Sequence, residues 1–279
     1  MLKQVTLTIA AGLIAGVAFA ADTPDTPFHN GTANIIEPGD ESNPLGELIS
    51  GYDFRQPEVR EMQDDEFSNP GMLTVEHGMD IWEMPDGSKG KSMADIWKKC
   101  SGVDAEEAGA VYPRYHDGAG KVISLEQQIN YCREKFMGAE PYKWEKADML
   151  GMTAFIRYMA NGKPVKVDIS GPAATTFKKG EKLYYTRLGQ LDVACAHCHE
   201  TNYGSYIRAD MLSQGHTNGF PTYRVKWNGI GSAQRRFRGC NNNIRATRLP
   251  YGHEDYVALE LYLAWRGSGL PVETPSVRQ

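Results

Sequence analysis

Two cysteines and two histidines lie within five residues of one another, in the segment Cys195-Ala-His-Cys-His199. This is a C-x-x-C-H motif, in which two thiols form thioethers with porphyrin vinyl groups and the adjacent histidine ligates the iron. A zinc site would need a second cysteine or histidine pair, and the sequence offers none. A thioredoxin-like dithiol would need a βαβ context, which this predicted helical region lacks. The motif therefore predicts one covalently bound haem c held by Cys195, Cys198 and His199.

The sequence offers several candidates for the second axial ligand of that iron. Electron-transfer cytochromes c commonly use a methionine downstream of the motif, but Met211 lies only 12 residues after His199 and no methionine follows it. Cys240 has no obvious cysteine partner and lies among arginines, which stabilise a thiolate. The residue types favour Cys240 as the ligand. The alternatives are an inert buried thiol at that position, or another downstream ligand from the set His216, Lys226 and His253.

Positive charge is concentrated around Cys240. The whole chain has a formal net charge of −5, which argues against a nucleic-acid partner. No Asp or Glu occurs from Met211 to His253, whereas this segment contains the basic residues Arg224, Lys226, Arg235, Arg236, Arg238, Arg245 and Arg248. The segment predicts a local electropositive surface on an otherwise acidic protein.

Residues 1–20 are typical of a secretory signal peptide. Lys3 precedes a short, mostly apolar run that ends in Ala18-Phe-Ala20, a small-residue cleavage site. The run is shorter than the about 20 apolar residues that a spanning helix needs, and no later segment is long enough to span a bilayer. We therefore expect cleavage before Ala21, a periplasmic location and no membrane span. Export also permits disulfide bonds.

Apolar periodicity and turn residues predict the elements that position these groups. Residues 22–45 contain four prolines and no sustained periodicity, which predicts an extended N-terminal arm, placed at residues 21–75. Apolar residues recur at helical spacing in four later segments. These predicted helices run from Ser92 to Cys100, from Leu125 to Met137, from Glu145 to Met159 and from Tyr256 to Arg266.

The two halves of the chain share one plan. Cys100 precedes Cys132 by 32 residues, Cys198 precedes Cys240 by 42 residues, and a closing helix that ends near glycine follows each pair. A chain of 279 residues can bury two modest cores. We therefore predict a mainly α protein with two cytochrome c-like domains in tandem. The domain at residues 76–165 lacks haem, and the domain at residues 166–279 binds it.

The first half cannot attach a haem. Trp97 and Ser101 stand where a C-x-x-C-H motif would have its first cysteine and its histidine. In the internal repeat, Cys100 corresponds to Cys198 and Cys132 corresponds to Cys240. Cys198 and Cys240 would lie near each other in a closed haem pocket. With no haem between the cysteines of the first half, we expect a disulfide bond. Two free buried thiols are the alternative.

Over most of the mature chain these motifs resemble the SoxA family, the larger subunit of the SoxAX cytochromes of bacterial sulfur oxidation. The Arg-Phe-Arg-x-Cys element that ends at Cys240 is the most specific of them. Because Trp97 and Ser101 interrupt the first motif, the chain resembles the single-haem branch of the family. The segments that carry the resemblance are Tyr112-Pro-Arg-Tyr115, Leu125-Glu-Gln-Gln-Ile-Asn-Tyr-Cys-Arg133, Cys195-Ala-His-Cys-His199, Phe220-Pro-Thr-Tyr223, Arg235-Arg-Phe-Arg-Gly-Cys240 and Glu260-Leu-Tyr-Leu263.

The resemblance implies an L-cysteine S-thiosulfotransferase, which couples thiosulfate oxidatively to a cysteine of the carrier protein SoxYZ. Cys240 would be an iron ligand, carried as a persulfide, and the centre of sulfur transfer. Arg236 would bind the anionic substrate, and Arg238 is a further candidate for contacting it. A SoxX-like cytochrome c subunit would complete a heterodimer and take the electrons. The alternative is a periplasmic electron-transfer cytochrome c with bis-histidine ligation through His216 or His253 and no sulfur chemistry.

Overall fold

A computed structural model describes residues 35–279 of the chain. The predicted signal peptide and residues 21–34 of the predicted arm lie outside the described residues. The described part is mainly helical, with short strands that form hairpins and one three-stranded sheet. In the described residues, no helix has the length and apolar character needed to cross a membrane.

The first half of the described chain consists of two short hairpins and six α-helices. The first hairpin pairs β1 with β2, and the second, β3 with β4, lies between the fourth and fifth helices. A π-helical turn at Arg133–Met137 extends the fifth helix. The elements are β1 Ile35–Ile36, β2 Leu48–Ile49, α1 Pro57–Asp64, α2 Met72–Trp82, α3 Met93–Ser101, α4 Ala105–Val111, β3 Arg114–His116, β4 Lys121–Ile123, α5 Leu125–Cys132 and α6 Ala147–Tyr158.

The second half holds four helices and five short strands. The sheet order is β8-β7-β9, with β7 antiparallel to β8 and parallel to β9. The elements are α7 Ala174–Tyr185, α8 Cys195–His199, β5 Tyr206–Ile207, β6 Asp210–Met211, β7 Thr222–Arg224, β8 Gly229–Gly231, α9 Ala233–Asn243, α10 Glu254–Arg266 and β9 Ser276–Arg278.

The predicted extended arm at residues 21–75 differs from the structure beyond Gln56. Pro57 begins α1, because its fixed φ suits the first position of a helix and its missing N–H needs no partner there. The first residues of α2 also fall inside the predicted arm. The arm packs as well as extends, since Leu48 and Ile49 are fully buried and the Ile49 N–H donates to Gln214 Oε1. The segment is therefore part of the folded unit.

Two tightly packed helix pairs give the halves the same internal framework. In the first half α2 packs on α6, and in the second α7 packs on α10. Gly78 of α2 lies so close to α6 that an added Cβ would collide with the carbonyl oxygen of Gly151. In the same way, a Cβ on Gly180 would collide with the carbonyl oxygen of Ala258. Both pairs thus depend on a glycine at the crossing point.

Each half also carries a hairpin that leads into a cysteine-bearing helix. The hairpin of β3 and β4 precedes α5, and the hairpin of β7 and β8 precedes α9. Ser124 caps α5 by accepting the N–H of Gln127, and Ser232 caps α9 by accepting the N–H of Arg235. In each helix the cysteine is the eighth residue after the serine. The local geometry that positions Cys132 therefore also positions Cys240.

Candidate functional site

The C-x-x-C-H motif forms the short helix α8, which opens onto a cavity. Cys195, Cys198 and His199 all line this cavity, and neither thiol is engaged in a disulfide. Burial is the main reason why the pKa of Cys195 is raised to about 12, and burial also raises the pKa of Cys198. Both groups are thus neutral thiols at neutral pH, facing the same space from one helix.

His199 is held by its backbone surroundings. Its Nδ1 lies 2.7 Å from the carbonyl oxygen of Ser213, so Nδ1–H donates there and Nε2 is the nitrogen that faces Cys240. Gly215, with φ +80°, packs on the ring, and a Cβ there would lie 2.9 Å from Cγ of His199. This arrangement fixes the tautomer and ring plane that an iron ligand needs.

The cavity is large enough and apolar enough for a porphyrin. It contains about 1370 Å³ of space not filled by atoms, part of it open to solvent. Aromatic and aliphatic side chains form much of its wall, which suits a flat apolar macrocycle. They include Tyr184, Leu188, Val193, Phe220, Phe237, Leu259 and Leu263. The described residues therefore fit a haem attached at α8.

Cys240 lies on α9, half-buried, and lines the same cavity. Burial alone would raise the pKa of its thiol, but three groups outweigh that effect. The charge of Arg236, a hydrogen bond and charge from His199, and the charge of Arg224 together lower the pKa of Cys240 to about 7. The structure thus brings Cys240 next to His199 and makes it the most acidic of the three unpaired cysteines in the described chain.

The three arginines that precede Cys240 on α9 have different surroundings. Arg236, one turn before Cys240, lines the cavity. Arg235 turns toward Trp227, with its guanidinium carbon 4.4 Å from the ring centroid. Arg238 hydrogen-bonds to the carbonyl oxygen of Leu249 and stacks 4.6 Å over the ring of Tyr251. Arg238 is absent from the cavity lining, so its suggested contact with an anion at Cys240 does not fit its placement.

The other candidate ligands are placed less favourably than Cys240. His216 lines the cavity, but its Nε2 lies 2.9 Å from Gln214 Oε1 and its Nδ1 lies beside Gly267. His253 caps α10, where its Nδ1 accepts the N–H of Asp255. Lys226 is exposed and is not part of the cavity lining. Met211 lines the cavity, and its carbonyl oxygen accepts a hydrogen bond from an arginine of the arm.

That arginine, Arg55, belongs to a polar cluster at the cavity that the sequence motifs did not reveal. Arg55 and Arg224 both pair with Asp210, one to each carboxylate oxygen. Arg278 of β9 lines the same cavity and hydrogen-bonds to Gln63 at 2.6 Å. The concentration of arginines in the basic segment indicated Arg224 as a candidate. No sequence pattern indicated Arg55, because it lies 155 residues before its partner Asp210.

In the first half, Trp97, Cys100 and Cys132 lie in one buried apolar cluster. Cys100 and Cys132 form a disulfide, with their Cα atoms 5.5 Å apart. Gln128 Nε2 lies 3.2 Å from the sulfur of Cys132, in the helical position that Arg236 holds relative to Cys240. Trp97 is 2% exposed and packs against Trp82, with ring centroids 5.9 Å apart. A bulky side chain and a covalent bond thus fill this part of the core.

The sequence matches known proteins along most of its length. Residues 77–165 match the family model described as the SoxA/TsdA cytochrome c domain. The L-cysteine S-thiosulfotransferase subunit SoxA of Pseudaminobacter salicylatoxidans is 48% identical over 240 residues, which cover 86% of this chain and 84% of that protein. The chain belongs to the SoxA family. The SoxA subunit of Rhodovulum sulfidophilum, another member, is 44% identical over 97% of both chains.

The fold agrees with SoxA family membership. A chain in the crystal structure of SoxXA from P. pantotrophus matches with a TM-score of 0.80 at 40% sequence identity. The match covers 88% of this chain and 93% of that chain. The mainly α fold and the presence of a cytochrome c domain, both expected from the sequence, are therefore confirmed, and the family match supports a c-type haem in this chain.

Proposed function

We propose that this chain is the SoxA subunit of a SoxAX complex and couples thiosulfate to a cysteine of a SoxYZ-like carrier through Cys240. The observation that carries the proposal is the meeting of Cys240, Arg236 and the C-x-x-C-H helix in one cavity. Relatives named L-cysteine S-thiosulfotransferase subunit SoxA, at 48% and 44% identity, support it.

One haem would be held by thioether bonds to Cys195 and Cys198, with His199 and Cys240 as the iron ligands. His199 offers Nε2 because Nδ1 donates to Ser213, and Cys240 lies within hydrogen-bonding contact of His199. The bound haem would supply a one-electron redox centre. The residues themselves provide the cavity, the fixed imidazole and a thiol whose pKa lies near neutrality.

Joining thiosulfate to the Cys240 sulfur is an oxidation that releases two electrons. The sulfane sulfur of thiosulfate forms a bond to the sulfur that Cys240 presents, which in the predicted active form is its persulfide sulfur, and two electrons leave. A thiolate of the carrier then attacks the sulfane sulfur, forms a carrier S–S–SO₃⁻ group and returns the Cys240 sulfur as the leaving group. The carrier thiol loses one proton to solvent. A SoxX-like cytochrome partner would take the electrons.

Arg236 would hold the sulfonate end of thiosulfate during this step. It lies four residues before Cys240 on the same helix, so both side chains project from one face. A guanidinium offers paired, directional donors for oxyanions and keeps its charge at every relevant pH. The substrate would thus be oriented with its sulfane sulfur toward Cys240.

Bis-histidine ligation, the alternative for an electron carrier, has less support. The Nε2 of His216 is engaged by Gln214, and His253 caps α10 away from the cavity. Either histidine would have to leave these contacts to bind the iron, whereas Cys240 already lines the cavity.

We also propose that the protein acts in the periplasm after cleavage of residues 1–20, and that residues 76–165 and 166–279 are two duplicated cytochrome c-like domains. The matching glycine crossings and serine-capped cysteine helices support the duplication. Residues 77–165, matched by the cytochrome c domain family, nearly coincide with the first of these units.

The proposal is tested by Cys240→Ala in the complex with its cytochrome partner. We expect covalent haem to remain, the ferric spectrum to lose its thiolate-ligated low-spin signal, and thiosulfate-dependent modification of the carrier to disappear. Asn242→Ala, at an exposed position of the same helix, is the matched control and should keep activity. Intact mass of the untreated protein should show one haem, one disulfide and one additional sulfur atom. Turnover retained by Cys240→Ala would refute the proposal.

A further inference from the structure

Arg224 is a second guanidinium in the cavity that holds Cys240. It is the last residue of β7, is 8% exposed, and lines the cavity together with Arg236. A side chain this long and this buried must have its charge and donors matched. The partners that hold it show which part of it remains available.

Three contacts fix the guanidinium of Arg224. Its Nε donates to the carbonyl oxygen of Gln279 at 2.7 Å, and its Nη2 lies 3.1 Å from Asp210 Oδ2. Its guanidinium carbon lies 5.2 Å from the ring centroid of Trp227. Its Nη1 makes no hydrogen bond with the residues that the structure describes. The group is therefore rigid and has one nitrogen left for a ligand.

Asp210 is shared between two arginines, because Arg55 pairs with its Oδ1 while Arg224 pairs with its Oδ2. Within residues 35–279, Arg236 forms no ion pair. Both Arg224 and Arg236 line the cavity, and the proposed substrate is a dianion.

Arg224, Arg236 and Cys240 line the same cavity. Burial, followed by repulsion from Arg236, lowers the pKa of Arg224 to about 10, so the group stays charged at neutral pH. Arg224, which shares its carboxylate with Arg55, and Arg236, which has no ion pair within the described residues, are therefore suited to bind one anion together.

We propose that Arg224 is a substrate-binding residue, which holds the sulfonate of thiosulfate together with Arg236. This inference rests on the proposed function and deepens it. The sulfonate has three oxygens, so it accepts hydrogen bonds from two guanidiniums while its sulfane sulfur stays free for Cys240. Arg224 thus fills the role of second anion contact, which Arg238 cannot fill from its position on Leu249 and Tyr251.

The test compares Arg224→Gln, Arg224→Lys and Arg248→Gln in the haem-loaded complex with its cytochrome partner. Arg248 is an exposed arginine of the same basic segment, so its substitution removes the same charge away from the cavity. We expect Arg224→Gln to raise the KM for thiosulfate by about 10- to 100-fold, the equivalent of one charge-assisted hydrogen bond. The kcat and haem content should change little. Arg224→Lys should recover part of the loss, and Arg248→Gln should match the unmodified protein.

Direct binding separates this inference from the proposed function. Thiosulfate is titrated into the oxidised complex without carrier, by calorimetry and by the ferric absorbance spectrum. Binding that is weakened by Arg224→Gln and not by Arg248→Gln supports the inference, even if carrier modification is absent and the proposed function fails. Unchanged binding in Arg224→Gln overturns it. So does a loss of haem in that variant, since Arg224 would then hold the haem carboxylates.

Discussion

Removal of the disulfide between Cys100 and Cys132 should cost the first half a large part of its stability. The two cysteines are 32 residues apart in sequence, and both are nearly fully buried. In the chain-entropy model a closed loop of this length stabilises by about 3.7 kcal/mol at 25 °C. For a protein of this size, each kcal/mol corresponds to about 2 to 4 °C in Tm, so a loss of about 7 to 15 °C is expected.

Single and double variants make the test sharp. If the bond exists, Cys100→Ala alone already removes the cross-link, so adding Cys132→Ala costs little more. Thermal unfolding is followed by near-UV circular dichroism, which reports the buried pair of Trp82 and Trp97. Ser42→Ala, in the exposed part of the arm, is the control. The reasoning is refuted if the two single variants lose little stability and their effects add up in the double variant, as for two independent buried thiols.

Two further predictions concern stability. Burial lowers the pKa of His216 to about 3 from 6.5, so the unfolded chain binds the extra proton first, and stability is lost as pH falls below 6.5. Urea titrations should show about 1.6 kcal/mol less stability at pH 5 than at pH 6.5 from this residue, and His216→Gln should lack that part of the slope; an equal slope in both proteins would contradict the assignment. Gly180→Ala should destabilise by about 1 to 3 kcal/mol, despite the better helix propensity of alanine, because its Cβ meets the carbonyl of Ala258. Gly239→Ala is the control, because its added Cβ would lie 3.8 Å from the nearest atom, Nη1 of Arg236, and it should be neutral or stabilising. Similar losses of stability in both variants would show that the close crossing of α7 and α10 does not cause the loss in Gly180→Ala.

The sequence was most informative where local patterns decide the structure. The predicted helix from Glu145 to Met159 is α6 at Ala147–Tyr158, and the predicted helix from Tyr256 to Arg266 is α10 at Glu254–Arg266. The helix predicted from Leu125 to Met137 changes to a π-turn after Cys132. Apolar periodicity locates such helices because one face of each is buried.

Among the helices that the sequence patterns did not predict, α7 and α9 escaped for different reasons. α7 contains Thr175, Thr176 and Gly180, which have low helix propensity, yet that glycine permits the close crossing with α10. α9 is almost wholly polar, so its apolar stripe is too weak to predict it. Once α9 is known to be helical, the four-residue spacing between Arg236 and Cys240 places both on one face. The choice among its arginines therefore depended on an element that periodicity could not reveal.

The polar cluster at the cavity could not be predicted from any local pattern. Arg55 and Asp210 are brought together across 155 residues, and Gln279 approaches Arg224 across 55. Such pairings arise from tertiary packing alone, so neither composition nor spacing along the chain marks them.

The contacts of Arg55 and Gln279 also bear on the order in which the site is completed. The C-x-x-C-H helix, Cys240 and Arg236 all come from one stretch of 46 residues, whereas one wall of the cavity comes from the arm and another from β9. Contacts between such distant segments carry a high loop-closure cost and form late in folding. We therefore expect the cavity to stay open while the local helices form, and the two distant segments to close over it afterwards. A folding intermediate without those segments would present its thiols and His199 to an incoming porphyrin, and the finished protein would then hold that group behind walls that were absent when it entered.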